Sequence, residues 1–394
     1  MSPPPDAGAS LADVLPSVAA ALGVPVRGPA VISLPSARSA VVVLVDGLGE
    51  TLLSRRSGHA PFLRQLHQAR LDQGNAGAEV LTCGFPSTTA TSMGMFGTGR
   101  LPGTHGLVGL DVLDPDRDVL FSELSWDPLV DPRRWQPGST VFEDVAAAGV
   151  DVVRIGPGYF DGSGLTEAAL RGGRFVAANA LAARVDAAVS ALAASPRCLV
   201  YLYWGELDKV GHVHGCESWQ WGEELSAVDA ALARLVEKVP ADTLVAVTAD
   251  HGMVDVPMAD RLDVAHEPDL AAGVRHVGGE PRGLHLYCEP GAAPDVLSAW
   301  RERLGGRMDL QLRDDAIRAG WFGPVEPFVH PRIGDVVASA VGPYAVVDSR
   351  TARQESLSLL GLHGARGPQE QLIPLLATLG TARSRTASSG DTRG

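Results

Sequence analysis

Four short apolar runs punctuate the chain, and each gives way to polar residues. "SAVVVLVDG" closes on Asp46, "RCLVYLYWGELD" runs into Asp208, "DTLVAVTADHG" closes on Asp250 and His251, and "VDVVRIG" spans 150–156. Runs without polar alternation suit strands covered on both faces, the usual state of a parallel sheet. Between them the spacing predicts helices over 60–70, 90–97, 178–194, 217–237 and 293–303. The Ala-rich "ANALAARVDAAVSALAA" combines helix propensity with an apolar face. Strands alternating with helices predict an α/β fold with a mostly parallel central sheet and helices on both faces.

Residues 254–335 are less regular. "PRGLHLYCEPG" reads as a strand and a turn, and "APDVLSAWRERLGG" as a helix closed by Gly. The block interrupts the core after Asp250 and is expected to form a small inserted cap within a catalytic domain of residues 10–380. The Pro-rich start, 1–9, is expected to be flexible. The polar tail "TARSRTASSGDTRG", 381–394, is expected to be disordered. No internal repeat is visible.

The 394 residues are 45% apolar, enough for a large core. A net charge of −13 and a pI near 5.3 disfavour a surface for nucleic acid. They leave small anionic substrates open, because bound metal ions invert the local field. Cys83, Cys198, Cys216 and Cys288 are scattered without a CxxC pair. That argues against a zinc knuckle or disulfide framework and for thiols in a reducing compartment. No run of eighteen apolar residues predicts a membrane span. The N-terminus lacks the basic and apolar regions of a signal peptide. The expectation is a soluble cytoplasmic protein with no membrane partner.

The chemistry gathers where the apolar runs end, and in open α/β sheets ligands bind outside the carboxyl ends of the strands. Asp46 in "VDGLG" suits a helix cap as well as a ligand. Asp208 and His212 share one face of a helical turn, a spacing that a surface hydrogen bond also explains. Adjacent Asp250 and His251 after an apolar strand point to metal ligation rather than packing. His363 in "GLHGARG" is a single His in a Gly-rich loop, and His105, His214 and His330 have no such company. The set mixes carboxylates and imidazoles and exceeds one tetrahedral site. Two metals at roughly 3.5–4 Å would use all of it and clamp a phosphoryl group.

"FPSTTATSMGMFGTG", 85–99, holds six hydroxyl residues among Met93, Met95 and Phe96. Taken with D-G at 46–47, D-x-x-G-H-x-x-G at 208–215, D-H-G at 250–252 and H-G at 363–364, it carries a resemblance. The ordered series is similar to the alkaline phosphatase superfamily, in its type I phosphodiesterase/nucleotide pyrophosphatase branch. The resemblance implies an alkaline-phosphatase-like fold and hydrolysis of phosphodiester or pyrophosphate bonds in a small phosphate ester or nucleotide. It also implies a Thr nucleophile three residues after a Pro and nine before a Thr-Gly pair. Pro86, Thr89 and Thr98-Gly99 fit that frame, with Thr88 as runner-up. The hydroxyls would open a helix facing two divalent metal ions: zinc, or else manganese or another transition metal. By the resemblance, Asp208, His212 and His363 hold one ion, and Asp46, Asp250, His251 and Thr89 the other. The reaction would pass through a phosphoryl-threonine.

The chain departs from the branch at Ser92 and Met93, where Asn or Gly and then His are frequent; Ser92 is the remaining side chain to help hold phosphoryl oxygens. No Arg precedes Arg100 near the nucleophile, which tilts the expectation from monoesters toward diesters. A phosphomonoesterase, phosphomutase or phosphonate hydrolase of the superfamily is the alternative; the intact ligand set disfavours a non-catalytic binding protein. Substrate choice is expected from 100–140 and 254–335. Trp219 and Trp221 suit either base stacking or helix packing.

Overall fold

The computed structural model describes residues 8–27, 30–72 and 80–382; residues 1–7 and 383–394, most of the two termini expected to lack order, fall outside these. The central sheet has seven strands: β1 (Ser39–Val45), β2 (Val80–Thr82), β5 (Asp151–Gly156), β6 (Arg174–Ala177), β7 (Cys198–Trp204), β8 (Thr243–Thr248) and β17 (Leu372–Leu379). Their order is β2–β17–β8–β1–β7–β5–β6. The five strands from β8 to β6 run parallel, and β17 runs against both its neighbours. Val42 of β1 lies beside Tyr201 of β7 and Ala246 of β8, which sets the three apolar runs in one register. Every residue of β1 and β8 is buried, as the unbroken hydrophobicity requires. Helices Pro61–Asp72, Thr89–Thr98, Leu181–Ala194 and Trp219–Lys238 flank the sheet.

A second, antiparallel sheet is built from β3 (Asp111–Asp114), β4 (Val119–Ser122), β11 (Val274–Glu280), β12 (Gly283–Cys288), β13 (Met308–Leu312) and β14 (Val336–Ala340), in the order β13–β14–β12–β11–β3–β4. Helix Ala293–Leu304 covers it, ends at Gly305 (φ 57°), and buries Trp300 and Leu297 in a separate core. Two ribbons complete the strands. One pairs β9 (Val254–Asp255) with β16 (Gly361–Leu362), and the other β10 (Arg261–Asp263) with β15 (Ala345–Val347).

The sheets are locked together at one buried ion pair. Arg282, in the turn between β11 and β12, binds both oxygens of Glu370 at 2.9 and 2.7 Å, and its guanidinium also donates to the carbonyls of Gly342 and Tyr344. Glu370 in turn accepts from the Ala365 amide at 3.0 Å, and its own carbonyl accepts from Gly252 at 2.7 Å. Arg282 and Glu370 are 2% and 1% exposed, so removing either leaves a buried charge at a cost of about 3–5 kcal/mol. The four cysteines are free and buried. Among the described residues no helix is long and apolar enough to cross a membrane.

Candidate metal centre

The parallel strands deliver their polar ends to one place. Asp46 follows β1, and Asp250 and His251 follow β8. Helix Glu206–His214, which starts after β7, carries Asp208 and His212 one turn apart. His363 follows β16 on a loop. The backbones there touch: a Cβ on Gly49 would come within 2.5 Å of the Gly252 Cα, so the loops after β1 and β8 meet only without side chains. Asp46 caps no helix; Gly49 holds that position for helix Glu50–Arg55.

Two half-sites result. The ligand atoms of Asp208, His212 and His363 lie within 4.8 Å of one another, and so do those of Asp46, Asp250 and His251. The half-sites abut: the His251 and His363 rings stack at 3.8 Å between centroids. Each imidazole has its Nδ1 on a main-chain carbonyl: His212 on Gly361 at 2.7 Å, His363 on Ser87 at 2.9 Å, and His251 on Gly252 at 3.0 Å. With Nδ1 as the donor, Nε2 of each ring is the atom left to face the interior, the arrangement of a metal-ligating histidine.

Oxygen atoms surround those nitrogens. His251 Nε2 lies 3.4 Å from Asp46 Oδ1, 3.6 Å from Asp250 Oδ2 and 3.3 Å from Thr89 Oγ1. One oxygen of each strand-end carboxylate is anchored. Asp46 Oδ2 accepts from the Tyr203 hydroxyl, and Asp250 Oδ1 from the amides of Gly47 (3.1 Å) and His251 (3.0 Å). The other oxygens, Asp46 Oδ1 and Asp250 Oδ2, are buried without a partner, as is Asp208 Oδ1. A lone pair facing unpaired buried carboxylate oxygens is repulsive unless a cation lies between them. The donor set, imidazole nitrogen and carboxylate oxygen, is that of zinc. The residues therefore fit two divalent ions.

The electrostatics agree. Burial, with Asp250 and Asp208 adding to it, raises Asp46 well above the carboxylate range. Burial acts upward on Asp208 too, but His212, with His363 and His251 behind it, draws Asp208 below that range. His212 is pushed up to about 8, Asp208 at 3.2 Å outweighing the opposing effect of burial. His363 is held well below the usual histidine value by burial and by its two histidine neighbours. Burial and the Asp46 charge raise Tyr203, which keeps its hydroxyl a donor.

Thr89 is the first residue of helix Thr89–Thr98, and Thr88 is its N-cap in extended conformation. The helical ladder opens with the Ser92 amide donating to the Thr88 carbonyl, so the amides of Thr89, Ala90 and Thr91 precede it, in the first turn where no intrahelical partner exists. Met93, Met95 and Phe96 are buried and pin the helix, Phe96 against Phe142 and Tyr201. The hydroxyl residues divide the work. Ser87 Oγ donates to the Ala365 carbonyl (2.8 Å) and accepts from the Gly364 amide (3.1 Å), fastening the His363 loop. Ser92 departs from expectation: it is fully buried and donates to the Asp250 carbonyl at 2.7 Å, so it turns away from any phosphoryl group.

All seven residues singled out from the sequence, Asp46, Thr89, Asp208, His212, Asp250, His251 and His363, meet here. His105, His214 and His330 lie against Leu107, Gln220 and Asp314 instead. Trp221 is buried beneath Arg56, a packing role, and Trp219 is exposed. Tyr203 and Ser87 were not legible as site residues. Nor was Glu280, a buried carboxyl beside His363 that burial pushes up to about 8.

Solved structures share the fold. Murine ectonucleotide pyrophosphatase/phosphodiesterase 5 superposes with a TM-score of 0.67 at 20% identity, over 86% of this chain and 87% of that one. Phosphonoacetate hydrolase from Sinorhizobium meliloti, in complex with phosphonoacetate, gives 0.68 at 19% identity, over 93% and 95%. A curated relative, ectonucleotide pyrophosphatase/phosphodiesterase 1 of Saccharomyces cerevisiae, is 25% identical over an alignment of 258 residues; the match covers 55% of this chain and 34% of the relative, so the chain spans about a third of its length. The family model for type I phosphodiesterase/nucleotide pyrophosphatase matches residues 40–368, most of both sheets and every residue of the two half-sites, and the chain belongs to that family of hydrolytic enzymes.

Proposed function

We propose that the protein hydrolyses phosphodiester or pyrophosphate bonds with Thr89 as nucleophile. One observation carries the reading: two abutting half-sites hold unpaired buried carboxylate oxygens, and a threonine hydroxyl at a helix N-terminus lies 3.3 Å from the His251 nitrogen. Asp208, His212 and His363 would hold one divalent ion, and Asp46, Asp250, His251 and Thr89 the other, zinc or in its place manganese. When bound, the ions supply Lewis acidity, neutralising phosphoryl charge and easing deprotonation of a hydroxyl or water.

The chain's own residues do the rest. The amides of Thr89, Ala90 and Thr91 hold phosphoryl oxygen at the helix terminus. Thr89 Oγ1 bonds to phosphorus as the bond to the departing oxygen breaks, and the threonine proton passes to that oxygen. Water then cleaves the phosphoryl-threonine and restores the hydroxyl. Catalysis of this kind is mostly positional and electrostatic.

Among the described residues no Arg or Lys pairs with Asp46, Asp208 or Asp250. Arg100 lies beyond the far end of the ten-residue helix, some ~15 Å from Thr89. A site without a guanidinium suits the single charge of a diester better than the two of a monoester. The backbone likeness to phosphonoacetate hydrolase favours phosphonates as the second reading. A panel of aryl phosphodiester, aryl phosphomonoester, dinucleoside pyrophosphate and phosphonoacetate, with zinc or manganese, separates them. Diester or pyrophosphate turnover well above the others is expected; turnover confined to phosphonoacetate makes the second reading correct.

A further inference from the structure

Burial without a well-formed hydrogen bond, which marks carboxylate oxygens of both half-sites, recurs at a carboxyl beside them. Glu280 closes β11 of the second sheet and is 4% exposed. Both its carboxyl oxygens are buried and neither makes a hydrogen bond of ordinary geometry, although the Thr88 hydroxyl acts on the carboxyl. Oε2 lies 3.9 Å from His363 Nδ1, the nitrogen turned away from the ligand cluster. The His363 loop is shaped to admit it. Gly364 has φ 124°, and a Cβ there would come within 2.6 Å of Glu280 Cγ and 3.0 Å of Cδ. A residue with a side chain at 364 would push Glu280 off the histidine.

We propose that Glu280 is a positioning residue for the first half-site: its carboxyl, delivered by the second sheet, backs the His363 ring and strengthens the hold of Asp208, His212 and His363 on their ion. The inference rests on the two-ion reading above. The physical basis is general. The partner of a ligating histidine's outer nitrogen sets the ring's orientation and basicity, and its loss typically costs 10–100-fold in metal affinity. Ser87 O takes the Nδ1 hydrogen bond, at 2.9 Å, and fixes the ring; the buried Glu280 carboxyl stands behind that nitrogen at 3.9 Å and closes the pocket around the ring. Nothing comparable stands behind His251, whose Nδ1 has only the Gly252 carbonyl among its described hydrogen bonds. The two half-sites should therefore answer differently to one substitution.

Glu280→Gln keeps shape and removes the carboxyl. Chelator competition on the full chain should show two zinc ions in the parent. In Glu280→Gln one of them should bind tenfold or more weakly, the other unchanged, and circular dichroism should be that of the parent. Glu280→Asp, which withdraws the carboxyl by one methylene, should fall between. In a His363→Ala background Glu280→Gln should add nothing. Parent-like binding of both zinc ions by Glu280→Gln overturns the inference and leaves the two-ion reading standing. So does weakening of the zinc that remains in the His363→Ala background. A parent that binds neither zinc nor manganese overturns both readings.

Discussion

The two half-sites use the same residue types but are built in opposite ways. Asp46, Asp250 and His251 come from the ends of adjacent parallel strands; their side chains are 5%, 0% and 0% exposed. Asp208 and His212 sit one turn apart on a helix, 12% and 20% exposed, and their third member arrives on a loop more than a hundred residues later. The first pair carries its own counter-charge, because His212 beside Asp208 is held toward its protonated form. The strand-end group crowds two carboxylates around an imidazole lone pair and has no such internal relief. One half-site is wholly buried and leaves its carboxylates unrelieved; the other partly satisfies itself.

The largest expected effect falls on the strand-end side. Thr89→Ala should lower kcat by roughly a thousandfold or more, as removal of a covalent nucleophile does, while at least one ion stays bound. Thr89→Ser should keep partial turnover, and Thr88→Ala should stay near the parent. A dead Thr88→Ala beside an active Thr89→Ala places the nucleophile one residue earlier.

Ligand removal should split the half-sites. His363→Ala should lose one ion and about a hundredfold in activity, at or beyond the upper range for disturbing a histidine's support. Asp250→Asn should lose the other ion, and its chelated form should be more stable than the chelated parent by about 1–3 kcal/mol, because an unpaired buried acceptor is gone. Elemental analysis and urea unfolding read both. Loss of both ions in either variant would show that the half-sites are one cooperative unit.

The smallest effect concerns pH in the chelated chain. His212 rises from 6.5 to about 8 beside Asp208, so its stabilisation is complete below pH 6.5 and fades as pH climbs through 8. The change is at most about 2 kcal/mol. Asp208 is shifted downward, so its share is present above its ordinary carboxylate value and fades as acid is added below it. Urea unfolding at pH 6 and pH 9 should show the loss in the parent and not in His212→Gln. An equal loss in both assigns it elsewhere.

The apolar runs announced β1, β5, β7 and β8 because a doubly covered strand cannot hide its composition. Thr89, Asp46 and Asp250 were legible because they sit at or near those strand ends or inside a motif of fixed spacing. The second sheet was harder to read. β3 and β4 are four-residue strands, and β3 pairs with β11 more than 150 residues away, a choice made by packing rather than local pattern. Tyr203 looked like one more apolar residue in "CLVYLYW"; its hydroxyl matters only because β7 lies in register beside β1. Ser92 sat at a plausible distance from Thr89, but one helical turn deeper the side chain meets the Asp250 main chain and not the cleft.

The buried Arg282–Glu370 pair has a consequence for inheritance. A lobe with its own sheet and core would be convenient to trade between relatives as a cassette, and this one resists. Its arginine lies in the turn of one segment and its glutamate in another, some ninety residues on, beside both histidine loops. A chimera that moves 274–340 without 363–371 strands one charge in a dry interior. Lineages should therefore diversify this region by point changes on the existing lobe, and laboratory recombination should succeed only where crossovers carry both segments together.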